Sequence, residues 1–210
     1  RIKVMQSYES QLNSDLNWAL LEGSMHFEGT SAVHRTLERL VARLNELGID
    51  YAIAGGMALF MHGYRRFTED IDVLVTQKGL EQIHAALDGL GYVRPFEKSK
   101  NLRDAVTGVK IDFLVTGQYP GSGKPGPIAF PEPFAASEQI GDARVLELAR
   151  LIELKLASGQ APGRLKDIAD VQQLIFGLGL PISYSENIEE SVRGIYQQLW
   201  NDSQNERMDQ

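Results

Sequence analysis

The sequence contains no cysteine. Disulfides, thiolate zinc sites, iron–sulfur clusters and thiol nucleophiles are excluded together. Its four histidines (His26, His34, His62 and His84) are scattered and form no zinc-ligand spacing. No apolar run approaches the roughly 20 residues that a membrane-spanning helix needs. Residues 1–25 lack the basic-then-apolar layout of a signal peptide. Basic residues are in the minority, with 21 Lys and Arg against 28 Asp and Glu and a formal net charge of −7. A blanket electrostatic grip on nucleic acid or an anionic membrane is disfavoured, and only a local basic cleft remains open. The expectation is a soluble, cytoplasmic protein with no membrane partner.

The 210 residues, 43% apolar and 23% charged, suit one ordinary domain with an appendage. Leu12, Leu16, Leu20 and Leu21 predict an amphipathic helix over 6–23. Val33, Leu37, Leu40, Val41, Leu44 and Leu47 predict a stronger one, capped by Ser31 and stopped by Gly48. Strands are expected at 49–54, 70–75 and 110–115, with a short one at 92–96, and helices at 57–61 and 80–90. That order implies an α/β fold, a mixed sheet covered by helices. Residues 116–133 hold four Gly and five Pro, too many breakers for a helix or central strand. Helical texture then resumes at 142–158, 162–178 and 187–200. The expected division is an N-terminal helical extension (1–30), an α/β core (31–135), an all-helical module (136–203) and a disordered polar tail (204–210).

The chemistry is concentrated between Tyr51 and Val75. An apolar strand runs into Gly55-Gly56, a short helix follows, and Asp70-Ile71-Asp72 opens the next apolar strand. Side chains alternate along a strand, so Asp70 and Asp72 share a face. Two parallel carboxylates in an apolar strand repel each other unless a cation or a partner neutralises them. A hard divalent ion, Mg²⁺ or Mn²⁺, suits such oxygen donors. Asp112, the only acid in another apolar strand, completes a trio if the two strands pair; three acids suit in-line attack at phosphorus. A strand that turns through two glycines into a helix offers bare backbone N–H groups to a phosphate. Each feature alone has a bland explanation, in a turn or a loop. Their combination and spacing are far more specific.

On these residues the sequence resembles the nucleotidyltransferase superfamily typified by DNA polymerase beta, whose signature is Gly-Gly or Gly-Ser followed by Asp-apolar-Asp. The resemblance implies that Asp70 and Asp72 bind the metal ions and that Asp112 helps to activate the attacking hydroxyl. Gly56 stands where many members carry Ser. The later stretch, Lys155 through Arg164, Lys166, Asp167 and Asp170, resembles the abortive-infection type nucleotidyltransferases, some of which are toxins of toxin–antitoxin pairs. This implies that Lys155 faces the nucleotide phosphates and that the later acid lies near the active site. Loss of Lys155 is expected to leave the fold undisturbed, and Lys166 is a further nucleotide-binding candidate. Arg66 and Thr68, just before the acids, are candidates to hold the triphosphate tail. The expected partners are an NTP, a hydroxyl acceptor (an RNA end, a protein or a small molecule) and a cognate antitoxin.

Two other readings compete. One is a non-catalytic protein that keeps the fold as a binding or regulatory module; the other is metal-dependent phosphate hydrolysis by the same acids. A P-loop is excluded: Gly121-Ser-Gly-Lys124 is followed by Pro125 where Ser or Thr is required. No Gly-x-Ser-x-Gly supports a serine hydrolase. The long Gly/Pro loop is a candidate to shape an acceptor site.

Overall fold

The computed structural model of the protein describes residues 6–208, with side chains to residue 204. Its centre is three strands: β1 (Tyr51–Ala54), β2 (Asp70–Val75) and β5 (Lys110–Val115). β2 pairs antiparallel with β1 and parallel with β5. On one edge β3 (Tyr92–Val93) and β4 (Leu102–Asp104) follow β5; on the other β7 (Ala143–Leu146), parallel to β1, and β6 (Ser137–Ile140) close the sheet. The order is β3-β4-β5-β2-β1-β7-β6.

Period-two alternation sets the two faces. Ile71, Val73, Ile111 and Phe113 are fully buried, while Asp70, Asp72 and Asp112 project the other way. Helices α3 (Ala32–Glu46) and α5 (Gln77–Leu87) pack against β2 and β5. The His84 ring of α5 meets Phe113 edge-on, which places α5 on the apolar face. Short α4 (Gly55–Met61) follows β1 directly. After the sheet, α6 (Leu148–Gly159), α7 (Leu165–Leu178), a 3₁₀ turn (Ile182–Asn187) and α8 (Glu190–Met208) pack on one another around Leu156, Leu174, Val192 and Tyr196. No described helix is long and apolar enough to cross a membrane.

Several elements differ from expectation. The helix over 6–23 is two, α1 (Tyr8–Ser14) and α2 (Leu16–Glu28), because Asp15 adopts extended backbone and caps α2 through the Trp18 amide. Leu16, Leu20 and Leu21, whose spacing suggested a buried stripe, are exposed. Residues 142–146 are not helical: they belong to a β6–β7 hairpin that turns at Gly141, where φ is +59°. The helices therefore begin at Leu148. α7 starts at Leu165, after a turn at 162–163, rather than at Pro162. The expected disorder over 204–210 is corrected too: α8 continues to Met208, and residues 209–210 lie outside the described residues, as do 1–5 of the N-terminal extension.

Candidate active site

The parallel register of β2 and β5 builds the site. It sets Asp72 opposite Asp112 and Asp70 opposite Lys110, so three carboxylates and one ammonium share a face of the sheet. They floor a cavity of about 400 Å³ whose far wall comes from α6 and α7. All nine residues selected from the sequence line it: Asp70, Asp72 and Asp112, together with Gly55, Gly56, Arg66, Thr68, Lys155 and Lys166.

Both glycines are required by close approach. Gly55 has φ +57°, and a Cβ there would lie 1.8 Å from Asp72 Oδ2. A Cβ on Gly56 would lie 2.5 Å from Thr68 Oγ1. Thr68 thus brings a hydroxyl to the place that Gly56 leaves open, and it donates to Asp70 Oδ1 at 2.9 Å. No side chain caps the N-terminus of α4, so its first N–H groups remain without a capping acceptor.

The acids are unequally placed. Asp72 is half-buried, and burial, then Asp70, then Asp112 push its carboxyl up to about 7, with Lys155 and Lys110 opposing the shift. Lys110 Nζ donates to Asp112 Oδ2 at 2.7 Å. Asp112 Oδ1 is buried with no hydrogen-bond partner. A buried carboxylate oxygen with nothing to accept is costly, and a hard cation relieves the cost. The donor set therefore fits a divalent ion. It is not a closed cage, since among the described residues no three acids or histidines are drawn together into one.

The far wall is an ion network. Lys155, on α6 and with only 8% of its side chain exposed, donates to Asp167 Oδ1 at 2.9 Å and Asp170 Oδ2 at 2.7 Å. Ser158 donates to Asp167 Oδ2 at 2.8 Å. Burial raises the Asp167 carboxyl, but Lys155 and Ser158 outweigh it and hold the group below the usual range. Arg66 grips Asp170 with Nε and Nη2 at 2.8 and 3.0 Å. Lys155 and Arg66 line the cavity, yet both are committed to acids of α7. The expectation that Lys155 is dispensable for the fold is corrected on this ground. Lys166 is exposed at the rim.

Lys100, Lys110 and Arg164 also line the cavity and were not selected from the sequence. Period two along β5 would have found Lys110, two residues before Asp112. Arg164 lies within the Lys155–Asp170 stretch but was given no role there. Lys100 carries no local signal, because the chain folding between distant segments brings it in.

A family model described as aminoglycoside-2″-adenylyltransferase matches residues 36–117, a span that holds all three acids. Among solved structures, ANT(2″)-Ia in complex with adenylyl-2″-tobramycin is similar at 15% identity, covering 78% of this chain and 96% of that one, with a TM-score of 0.52. A putative nucleotidyltransferase from Thermotoga maritima has 14% identity, coverages of 69% and 91%, and a TM-score of 0.46. An antigenic nucleotidyltransferase-like protein from Paracoccidioides brasiliensis has 15% identity, coverages of 83% and 88%, and a TM-score of 0.44. No curated protein matches the sequence. The chain has the nucleotidyltransferase fold.

Proposed function

We propose that the protein transfers a nucleoside monophosphate from an NTP to a hydroxyl acceptor and releases pyrophosphate. The observation that carries the reading is Asp112 Oδ1, buried without a partner and in register with Asp72 on the open face of the sheet. The acceptor oxygen bonds to the α-phosphorus while the bond from that phosphorus to the α–β bridging oxygen breaks. Asp112 Oδ1 takes the acceptor's proton. The backbone N–H groups of Gly55 and Gly56 hold phosphate oxygens, and Thr68 orients Asp70. Lys166, exposed at the rim, supplies positive charge to the triphosphate, while Lys155, paired with Asp167 and Asp170, holds the wall facing it. Asp70, Asp72 and Asp112 would hold Mg²⁺ or Mn²⁺, which, when bound, neutralises phosphate charge and polarises the reacting phosphoryl group.

The test is incubation with each labelled NTP, Mg²⁺ and candidate acceptors (RNA, protein, aminoglycoside), comparing wild type with Asp72→Asn. Label transferred by the wild type alone supports the reading; NTP bound but never transferred favours the non-catalytic module. The support for a toxin–antitoxin role is the resemblance of the Lys155–Asp170 stretch to the abortive-infection type nucleotidyltransferases. In that role, expression of wild type but not of Asp72→Asn slows host growth.

A further inference from the structure

The active-site cavity adjoins a second one of about 540 Å³. Its walls are Lys100, Leu114 at the end of β5, Tyr119 and the loop to Pro125, Phe130 and Arg164. Gly55, Gly56, Arg66 and Thr68 take no part in it. Since β5 and β1 flank β2 on opposite sides, this cavity lies on the Asp112 side of the acids, away from the Gly-Gly turn. With the nucleotide seated over Gly55-Gly56, it is the space left for the acceptor.

The loop that walls it is anchored. The Gly117 amide donates to Phe130 O and the Phe130 amide to Gln118 O, and the Thr116 hydroxyl donates to Pro131 O. The tip is seated on α6, where a Cβ on Gly121 would come within 3.0 Å of Ser158 O. Among the lining residues the charges are Lys100 and Arg164, and there is no Asp or Glu. In a chain of net charge −7 this is a reversal of sign. Lys100 is exposed, and Arg164 has only a 3.7 Å contact to Asp167 with 53% of its side chain exposed.

We propose that the acceptor is anionic: a sugar hydroxyl compound carrying a phosphate, in place of a polyamine sugar. The proposal rests on the nucleotidyltransferase reading above. An aminoglycoside is a polycation at neutral pH, and within this second cavity its body meets two cations and no carboxylate. A phosphate suits the guanidinium fork of Arg164 and the ammonium of Lys100. Tyr119 and Phe130 offer faces for a sugar or base ring. The transfer balances as before: the hydroxyl proton goes to Asp112, the new bond forms to the α-phosphorus and pyrophosphate leaves.

The test separates binding from turnover. Wild type and the variant Lys100→Glu/Arg164→Glu, altered at two solvent-facing positions, are titrated with ribose 5-phosphate, a 5′-phosphorylated ribodinucleotide and tobramycin, with Mg²⁺ present. The expected result is that at least one phosphate compound binds the wild type about tenfold more tightly than tobramycin, and that charge reversal inverts the order. Binding of ribose 5-phosphate identifies a small sugar phosphate as sufficient; binding of the dinucleotide alone identifies a nucleic-acid end. Failure of both phosphate compounds to bind, tighter binding of tobramycin by the wild type, or an order unmoved by the variant overturns the proposal. Pyrophosphate release from an NTP is read separately. Turnover with tobramycin would sustain the nucleotidyltransferase reading and sink this one.

Discussion

Asp72 sets the pH behaviour of the metal-free protein. Its ordinary value of 3.8 rises to about 7 in the folded chain. Between those values the folded state holds a proton that the unfolded state has lost. Stability is therefore favoured at acid pH, falls as pH rises from about 4 to about 7 and levels off above. Asp72→Asn is expected to remove that slope and to be more stable than wild type at pH 8 by on the order of 1–3 kcal/mol, while abolishing transfer. Denaturant midpoints across pH 4–8 in EDTA check it. The opposite behaviour is expected of Gly55→Ala. A methyl 1.8 Å from Asp72 Oδ2, on a backbone with φ +57°, must displace the carboxylate or the turn. It is expected to lose activity and about 1–3 kcal/mol of stability, read from kcat and urea unfolding.

Among elements, the decisive joint lies between the approach to β2 and helices α6 and α7. Arg66 is held from both ends: Asp170 takes its guanidinium, and His26 Nε2 of α2 donates to its carbonyl at 3.0 Å. Lys155 ties α6 to α7 through the same Asp170, which is 3% exposed. Removing one member of a buried ion network leaves uncompensated charge, commonly costing several kcal/mol. Lys155→Met is expected to destabilise by about 2–4 kcal/mol, softened because Arg66 still neutralises Asp170. The double variant Lys155→Met/Asp170→Asn is expected to cost less than the two single losses summed. Additive losses in a thermal-unfolding cycle would show that the three groups do not act as one network.

For the whole molecule, the sheet divides the labour: its apolar face packs against helices, and its acid face opens to a cavity that the C-terminal helices close. A cation bound there stabilises only the folded chain. Mg²⁺ at millimolar concentration is expected to raise the melting temperature by a few degrees at pH 8, with a smaller rise at pH 6, because the proton on Asp72 competes with the ion. EDTA reverses the shift, and the pH dependence disappears in Asp72→Asn. Calorimetry at both pH values checks it. An equal rise at both would place the ion away from Asp72.

The Asp70–Asp72 pair was legible in the chain because strand alternation is local and apolar neighbours mark both acid-bearing strands as central. That Asp112 joins the pair depended on β2 pairing in parallel with β5. The glycines were legible as a turn for the same reason. What they make room for, the Asp72 carboxylate and the Thr68 hydroxyl, depended on how β1 and β2 pair. The β6–β7 hairpin was missed because Val145, Leu146 and Leu148 satisfy a helical spacing as well as a strand, and only pairing of β7 with β1 settles the choice. The commitment of Lys155 and Arg66 to Asp170, and the gathering of Lys100 and Arg164 beside the acids, join residues as much as 104 positions apart. Local periodicity determined which side chains face the site. Charge neutralisation between distant segments, which exists only after folding, decided which of them remain free to meet a substrate.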